Sequence, residues 1–335
     1  MRFAINRLDM SGPLAFARSA TRAEALGWSM GLLPCNPLKV ADPYVSLTLA
    51  AQATTTLQLG TLLDTPVIRH PSALAGSICT VAEFAPGRTH LGLGVGDTAV
   101  RFNGLTPANA AGFERAVTQT RALIAGESLE VGALKPARLT HARPVKVWVA
   151  AQGPKNLRMA GRVADGVWIR VGRDASNLNW AWQAVCEGAA EAGRDSSDIQ
   201  LGLIFHTALN QDPAAALSMG KAIAAGYYEY SPFLFDGPGL DWQGEDPHEL
   251  RRRVYPDFLH HRDPVHAGSL VDFLPDRAAD AFALYGSWDD ICRQLEETLA
   301  DVGMPVAYVL PHPVLPQGDK TDFVAAAAER LIREI

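Results

Sequence analysis

Short apolar runs alternate with stretches of helical periodicity along almost the whole chain. The apolar runs have few polar interruptions, which is typical of strands covered on both faces. Eight runs are predicted as strands: residues 3–8, 30–33, 57–63, 90–95, 147–151, 167–171, 199–209 and 306–310. The predicted helices are residues 14–28, 43–55, 72–84, 109–125, 154–163, 177–192, 213–228, 288–302 and 322–335. Repeated strand–helix units predict a parallel sheet, and eight of them predict one (β/α)₈ TIM barrel, a single domain over residues 1–335.

Two segments depart from this alternation. Residues 129–144 are polar and contain proline, and they are predicted as a hairpin or loop excursion. Residues 231–276 are rich in Pro, Gly, Asp, His and aromatic side chains and are too long for an ordinary connection. We therefore expect an insertion after strand seven, which could act as a lid.

Composition and charge narrow the class of protein. The 335 residues are 48% hydrophobic and 20% charged, with a net charge of −6 and no run of Lys or Arg. Nucleic-acid and anionic-membrane partners are therefore not expected. Charges in the first ten residues, no long apolar segment and four widely spaced cysteines predict a cytoplasmic protein with reduced thiols.

Strand four ends in a glycine-rich run that could lie against a flat ligand. Gly92, Gly94 and Gly96 follow a GxGxG spacing, which does not match the GxGxxG of dinucleotide-binding folds. Glycines at the carboxyl end of a barrel strand permit close approach to the backbone. Asp97 follows directly, either as a catalytic acid or as a helix cap.

The end of strand five predicts an anion site. Gln152, Gly153 and Pro154 lead straight into a helix, whose first N–H groups lack intrahelical partners. Such a helix start suits the phosphate of a cofactor, and a tight turn without a ligand is the alternative.

Histidines supply the remaining candidates. His206 ends strand seven and either points into the site or packs in the top layer of the barrel. His260, His261 and His266 have no acidic or cysteine partner at a useful spacing, so no metal site is predicted.

Taken together, these segments resemble the luciferase-like monooxygenase superfamily, whose members use FMN or the deazaflavin F420 in a (β/α)₈ barrel. The resemblance spans roughly residues 2–315 and is closest to the F420-dependent methylenetetrahydromethanopterin reductase branch. It rests on RHP at 69–71, GR at 87–88, LGLGVGD at 91–97, VAAQGPK at 149–155, ADGV at 164–167, GSW at 286–288 and Gly303.

The resemblance implies roles for individual positions. A cis peptide bond that backs the isoalloxazine ring corresponds to Leu62–Leu63, where the reductase branch usually has a glycine at the first position. Asp97 would lie near the ring as a proton donor or relay, and His206 is the second predicted catalytic residue. The positions predicted to bind the cofactor and its phosphate are Leu62, Leu63, Asp64, Gly96, Gln152, Gly153, Pro154, Val171, Gly172 and Arg173.

The predicted function is therefore that of a flavin-dependent oxidoreductase acting on a small organic substrate. Reduced FMN is the first choice of cofactor and F420 the alternative, and the reaction is hydride transfer or oxygen-dependent monooxygenation. A non-catalytic flavin-binding barrel is a further alternative, indicated by the residue at Leu62. Relatives are commonly dimers, so a homodimer is expected.

Overall fold

The structure is a computed structural model that describes residues 1–96, 98–131 and 133–335, without the side chain of Thr98. The chain divides into two compact units. Unit 1 comprises residues 1–168 and 184–202, and unit 2 comprises residues 169–183 and 203–335. The predicted single-domain organisation stays a prediction.

Unit 1 contains the first six repeats of strand and helix. Its strands are β1 (Arg2–Ile5), β2 (Met30–Leu33), β3 (Gln58–Thr61), β4 (Thr89–Leu93), β5 (Lys146–Ala151) and β6 (Gly166–Ile169). They are ordered β6-β5-β4-β3-β2-β1, and the pairs from β1–β2 to β4–β5 are parallel. The helices are α1 (Pro13–Ala25), α2 (Pro43–Ala53), α3 (Pro71–Phe84), α4 (Thr98–Phe102), α5 (Ala110–Ile124) and α6 (Pro154–Val163), followed by the second half of α7 (Ala175–Glu191).

Unit 2 contains the later strands and the region of the predicted insertion. Its strands are β7 (Gln200–Leu209), which enters unit 2 at residue 203, β8 (Ala283–Gly286) and β9 (Val306–Pro313). They are ordered β9-β7-β8, and β7 and β8 are parallel. The helices are α8 (Pro213–Tyr230), α9 (Pro247–Arg251), α10 (Pro264–Ser269), α11 (Asp276–Phe282), α12 (Trp288–Asp301) and α13 (Phe323–Ala327).

The predicted strands and long helices are confirmed, with ends that differ by a few residues. β8 was not predicted, because it follows residues 231–276 and the short helix α11, where no long helix marks the strand–helix alternation; its pairing with residues 206–209 of β7 identifies it as a strand. Residues 231–276 contain short helices and not only irregular chain. The hairpin-like excursion is confirmed, since Leu129 and Ala137 exchange two backbone hydrogen bonds of 2.8 Å.

Asp-Pro pairs start four of the helices, and two of these helices, α2 and α8, follow a strand. The aspartate accepts a hydrogen bond from a backbone N–H of the first turn. The proline at the first helical position has no N–H group that would need an acceptor. In the four caps, the aspartate carboxylate accepts from the backbone N–H of a residue two or three positions later: Asp42 from Tyr44 (2.9 Å), Asp212 from Ala214 (3.0 Å), Asp246 from His248 (2.7 Å) and Asp263 from His266 (2.9 Å).

A hydrogen-bonded group of three side chains, centred on His90, lies in the core of unit 1. His90 on β4 is 6% exposed; its Nε2 lies 2.8 Å from Gln58 Oε1, and the indole of Trp148 donates to its Nδ1 at 3.1 Å. Burial, assisted by the charges of Lys146 and Arg2, lowers the pKa of His90 to about 3. The ring is therefore neutral at physiological pH and joins β3, β4 and β5. Within the described ranges, no helix is both long enough and apolar enough to cross a membrane.

Candidate active site

The end of β3 is bonded to the strands on both sides. The peptide bond between Leu62 and Leu63 is cis, as the resemblance implies. Leu62 donates its N–H to β2, and Leu63 accepts from the chain that follows β2. Asp64 donates to the carbonyl of Gly92 at 2.9 Å and accepts from Gly94 at 3.0 Å. Leu62, Leu63 and Asp64 thus form a fixed segment at the carboxyl ends of β2, β3 and β4.

The glycines after β4 are needed for space and for backbone conformation. A Cβ on Gly94 would lie 2.7 Å from a methyl group of Leu63, which is half-buried. Gly96 has φ +82°, and its Cβ would lie 2.2 Å from Val100. Both glycines therefore let the chain pass close to Leu63 and Val100. Asp97, the predicted proton donor, lies outside the described residues, so its role stays a prediction.

Asp64 is 1% exposed, and its carboxyl has several partners, including the Cys35 thiol. The Tyr44 hydroxyl donates to Oδ2 at 2.8 Å, the Thr65 N–H donates to Oδ1 at 2.7 Å, and the Arg69 guanidinium lies 3.4 Å away. Burial raises the pKa of the Asp64 carboxyl, although these three groups and the Cys35 thiol lower it. The carboxyl holds the strand end to α2 and to the loop before α3. A cofactor contact of Asp64 stays a prediction.

The N-terminus of α6 has features that fit an anionic group. Gly153 precedes the helix and Pro154 occupies its first turn, and no side chain caps it. The Cβ position of Gly153 has no heavy atom within 4 Å. Asn156, two residues into the helix from Pro154, has a buried Oδ1 with no hydrogen-bond partner among the described residues. Its carboxamide, once reoriented, would present an N–H₂ to a phosphate.

Gly153 has an ordinary extended backbone conformation. Its φ of −93° and ψ of 153° are available to any residue, so the turn does not require glycine. The feature that could serve a ligand at Gly153 is therefore the open space beside its Cβ position. Contacts of Gln152, Gly153 and Pro154 with a cofactor stay predictions.

In unit 2, packing alone explains the residue types after β6. Val171 is fully buried. Gly172 has φ +84°, and its Cβ would lie 2.6 Å from the carbonyl oxygen of Ala281. Arg173 donates through Nε to the carbonyl of Ala283 at 3.1 Å and through Nη1 to Thr298 Oγ1 at 3.1 Å. Its guanidinium thus binds β8 and α12, and the predicted phosphate contacts of this loop stay predictions.

His206 lies within a buried cluster of unit 2. It is 3% exposed, and its Nδ1 lies 3.1 Å from the hydroxyl of Tyr227 on α8. Its ring meets that of His312 on β9 edge to face, with centroids 5.0 Å apart. The guanidinium carbon of Arg170 lies 5.7 Å from the centroid of the Tyr227 ring. A catalytic role for His206 stays a prediction.

Sequence reasoning missed Arg170 and the contact between Tyr227 and His206. Arg170 lies inside the predicted strand at residues 167–171, where a charged residue within an otherwise apolar run was the available signal. Tyr227 is 21 residues from His206 on a different element, so no local pattern could pair them.

Comparison with known proteins assigns the family. A sequence profile described as luciferase-like monooxygenase matches residues 7–305. The chain belongs to the luciferase-like monooxygenase family. It is an oxidoreductase, as the resemblance implied.

Two curated relatives match this luciferase-like chain over most of their length. One is 5,10-methylenetetrahydromethanopterin reductase of Methanolobus tindarius, 28% identical over 96% of this chain and 97% of the relative. The other is F420-dependent glucose-6-phosphate dehydrogenase of Beutenbergia cavernae, 28% identical over 84% of this chain and 80% of the relative.

A solved structure confirms the fold. The coenzyme F420 dependent tetrahydromethanopterin reductase of Methanopyrus kandleri superposes with a TM-score of 0.75 and 22% identity, covering 99% of this chain and 98% of the other. The luciferase-like chain is therefore a (β/α)₈ barrel, as predicted.

One cavity of about 430 Å³ lies within unit 2 of the luciferase-like chain, at the carboxyl ends of β7 and β8. Its lining includes Asn210, Arg173, Arg293 and the pair formed by Tyr285 and Asp280, whose hydroxyl–carboxyl distance is 2.8 Å. Arg173 is the one predicted site residue among the lining residues. Across the described part of the chain, no group of three or more His, Cys, Asp or Glu is arranged to hold a metal.

Proposed function

We propose that this protein is an F420-dependent oxidoreductase that exchanges a hydride with a small organic substrate. The observation that carries the proposal is the match over 96% of the chain to a methylenetetrahydromethanopterin reductase. The matching fold belongs to a reductase that is described as coenzyme F420 dependent, and the second relative is F420-dependent. These names favour F420 over FMN, which was the first choice from the sequence.

The residues of unit 1 fit a cofactor that has a flat ring and a phosphate. The uncapped N-terminus of α6 has open space at Gly153, and it would hold the phosphate through its free backbone N–H groups. The carboxamide of Asn156, whose oxygen has no partner as oriented, would donate from its N–H₂ after a flip of the amide. The segment Leu62–Leu63 would lie against the ring. Because Gly94 has no side chain, the Leu63 side chain can pack directly against its backbone. When bound, the cofactor would supply a ring that accepts and returns a hydride.

Titration of the purified protein with F420 and, separately, with FMN tests the proposal. We expect F420 to bind with a dissociation constant of about 1 μM, which corresponds to about 8 kcal/mol of binding free energy. FMN should bind at least about tenfold more weakly. Fluorescence quenching and the visible spectrum report both. No binding of either compound at tens of micromolar would contradict the proposal, and tighter binding of FMN would favour the FMN-dependent monooxygenase.

Turnover separates an enzyme from a non-catalytic barrel. An enzyme would oxidise or reduce the bound cofactor when a suitable substrate is added, and the absorbance of the ring would change. A homodimer in the cytoplasm completes the proposal, on the basis of the family resemblance. Light scattering at micromolar concentration checks the oligomeric state.

A further inference from the structure

The cavity within unit 2 contains an arginine that no carboxylate in the described part of the chain contacts. Arg173 lines this space of about 430 Å³, a volume within the range of small-molecule sites. The acceptors of its guanidinium are all neutral: the carbonyl oxygens of Ala283 (3.1 Å) and Gln294 (3.4 Å) and the hydroxyl of Thr298 (3.1 Å). Arg173 is therefore a half-buried cation whose charge these contacts do not neutralise.

The hydrogen bonds of Arg173 leave one guanidinium nitrogen available. The side chain donates from Nε and Nη1, and Nη2 has no acceptor among the described residues. Arg88 and Arg194 in unit 1 are also held by carbonyl oxygens, but each of them donates from both Nη1 and Nη2. Burial lowers the pKa of Arg173, and the nearby charges of Asp280 and Glu297 only partly offset this effect. An anion in the cavity would complete the hydrogen bonds of Arg173 and neutralise its charge.

A second donor comes from the residue that follows β7. Asn210 lines the same cavity, and its Oδ1 accepts a hydrogen bond from the Asp212 N–H at 3.0 Å, which indicates the orientation of the amide. Within the described ranges, its Nδ2 donates to the sulfur of Met219 alone, at 3.8 Å. A thioether is a weak acceptor, so the amide nitrogen can still donate to an oxygen atom of a ligand. Arg173 and Asn210 thus offer two donors to one carboxylate.

The other charges of the lining limit how negative the ligand can be. Arg293 pairs with Asp290 at 3.3 Å and with Glu297 at 3.1 Å, so protein carboxylates already neutralise it. Asp280 accepts a hydrogen bond on Oδ1 from the phenol of Tyr285 at 2.8 Å, and this neutral donor leaves the charge of the carboxylate in place. Asp280 would therefore repel a dianion, whereas a hydroxyl group of a ligand can donate to its Oδ2.

We propose that this cavity binds a small hydroxycarboxylate. The carboxylate of the ligand accepts hydrogen bonds from Arg173 Nη2 and Asn210 Nδ2, and a hydroxyl group of the ligand donates to Asp280. A monoanion binds better than a dianion such as phosphate, and a neutral polyol binds weakly because it leaves the charge of Arg173 unpaired. All of these residues belong to unit 2. The inference concerns binding to that unit alone, and it holds whether or not F420 binds to the protein.

Isothermal titration calorimetry with sodium glycerate tests the site. Glycerate carries one carboxylate and two hydroxyl groups, and we expect a dissociation constant of about 0.1–1 mM, with glycerol and inorganic phosphate at least about tenfold weaker. Asn210→Asp keeps the acceptor for the Asp212 N–H but replaces the donor by a carboxylate oxygen, so glycerate should bind at least about tenfold more weakly. Asn179→Asp is the matched control, because it makes the same change of net charge at an exposed position of α7 outside the lining. It should retain wild-type affinity.

Asp280→Asn should produce a gain of binding, which misfolding cannot imitate. The amide still accepts from Tyr285 but carries no charge, so inorganic phosphate should bind at least about fivefold more tightly than it does to the wild type. Arg173→Met would also remove the contacts with Ala283 and Thr298, so Asn210→Asp and Asp280→Asn are the deciding variants. No heat of binding with glycerate at about 10 mM would overturn the inference. Equal glycerate affinity of the wild type and Asn210→Asp, or tighter binding of phosphate than of glycerate to the wild type, would do the same.

Discussion

At the scale of single residues, the uncapped N-terminus of α6 provides the most direct test of where the cofactor phosphate binds. Gly153 has a backbone conformation open to any residue and no heavy atom within 4 Å of its Cβ position. A side chain there would fill the space in which a phosphate could approach the helix N–H groups. We expect Gly153→Val to weaken binding of F420 by at least about tenfold, measured by fluorescence titration, while the free energy of unfolding changes by less than about 1 kcal/mol.

Two comparisons make the Gly153 experiment decisive. Asn156→Ala, which removes the carboxamide whose oxygen has no partner, should also weaken binding of the cofactor. Binding of riboflavin, which has the flavin ring but lacks the phosphate, should respond much less to Gly153→Val than binding of FMN does. If cofactor affinity is unchanged in both variants, the phosphate lies elsewhere in the chain.

At this scale the family resemblance predicted the backbone feature at the end of β3, whereas the side-chain contacts became visible only in the structure. The cis bond at Leu62–Leu63 was implied by the resemblance and is present. The hydrogen bond from Tyr44 to Asp64 was not predictable, because the two residues belong to different elements. Arg173 was assigned to a phosphate, yet its guanidinium binds the carbonyl of Ala283. The type of a residue at a strand end is visible in the sequence; its partner is not.

At the scale of elements, α6 and the second half of α7 cross in unit 1 with their backbones in close approach. A Cβ on Gly161 would lie 2.0 Å from the carbonyl oxygen of Val185, and one on Gly188 would lie 1.9 Å from that of Arg158. Ion pairs of Arg158 with Glu187 and Glu191 surround the crossing. Two glycines facing each other's helix thus set how closely the helices pack.

Gly161→Ala should therefore destabilise the protein, even though alanine is a better helix former by about 1 kcal/mol. The added methyl group would overlap with backbone atoms that cannot rotate away, so the helices must separate. We expect the free energy of unfolding to fall by at least about 2 kcal/mol in a urea titration. Gly303→Ala is the control, because its Cβ position is open. Equal stability of the two variants would show that the crossing can relax.

Elements were predictable where their signals are local. Apolar runs and helical periodicity identified the long helices and strands, because a period depends on neighbouring residues. β8 was missed, since it follows residues 231–276, where no long helix marks the strand–helix alternation, and it is identified by its pairing with β7. The short helices within residues 231–276 were missed for a related reason: none of them has the length to show a helical period.

At the scale of the whole molecule, His90 links stability to pH. Its pKa is about 3 in the folded protein, because of burial and then the charges of Lys146 and Arg2, against about 6.5 in an unfolded chain. Below pH 6.5 the unfolded state binds a proton that the folded state does not. The contribution of His90 is therefore complete above pH 6.5 and declines as the pH falls towards 3, by about 2 kcal/mol at pH 5.

His90→Gln isolates this contribution. Glutamine stays uncharged, so the loss of stability between pH 7 and pH 5 should be smaller in the variant by about 2 kcal/mol, although the variant is less stable at pH 7. Denaturant titrations at the two pH values measure the difference. His141→Gln, at an exposed position, should show the wild-type slope. The same slope in His90→Gln would mean that another group controls the acid limb.

By itself, the sequence determined the (β/α)₈ alternation, the helix starts and the set of strand-end residues that could hold a cofactor. These features depend on period, caps and turn chemistry, which act over a few residues. Only the tertiary structure decided which of those residues meet. The Tyr227–His206 link, the burial of Asp64 against Tyr44 and the close crossing at Gly161 all join segments far apart in the chain. Such contacts arise when whole elements pack, and packing depends on the combined shape of many side chains.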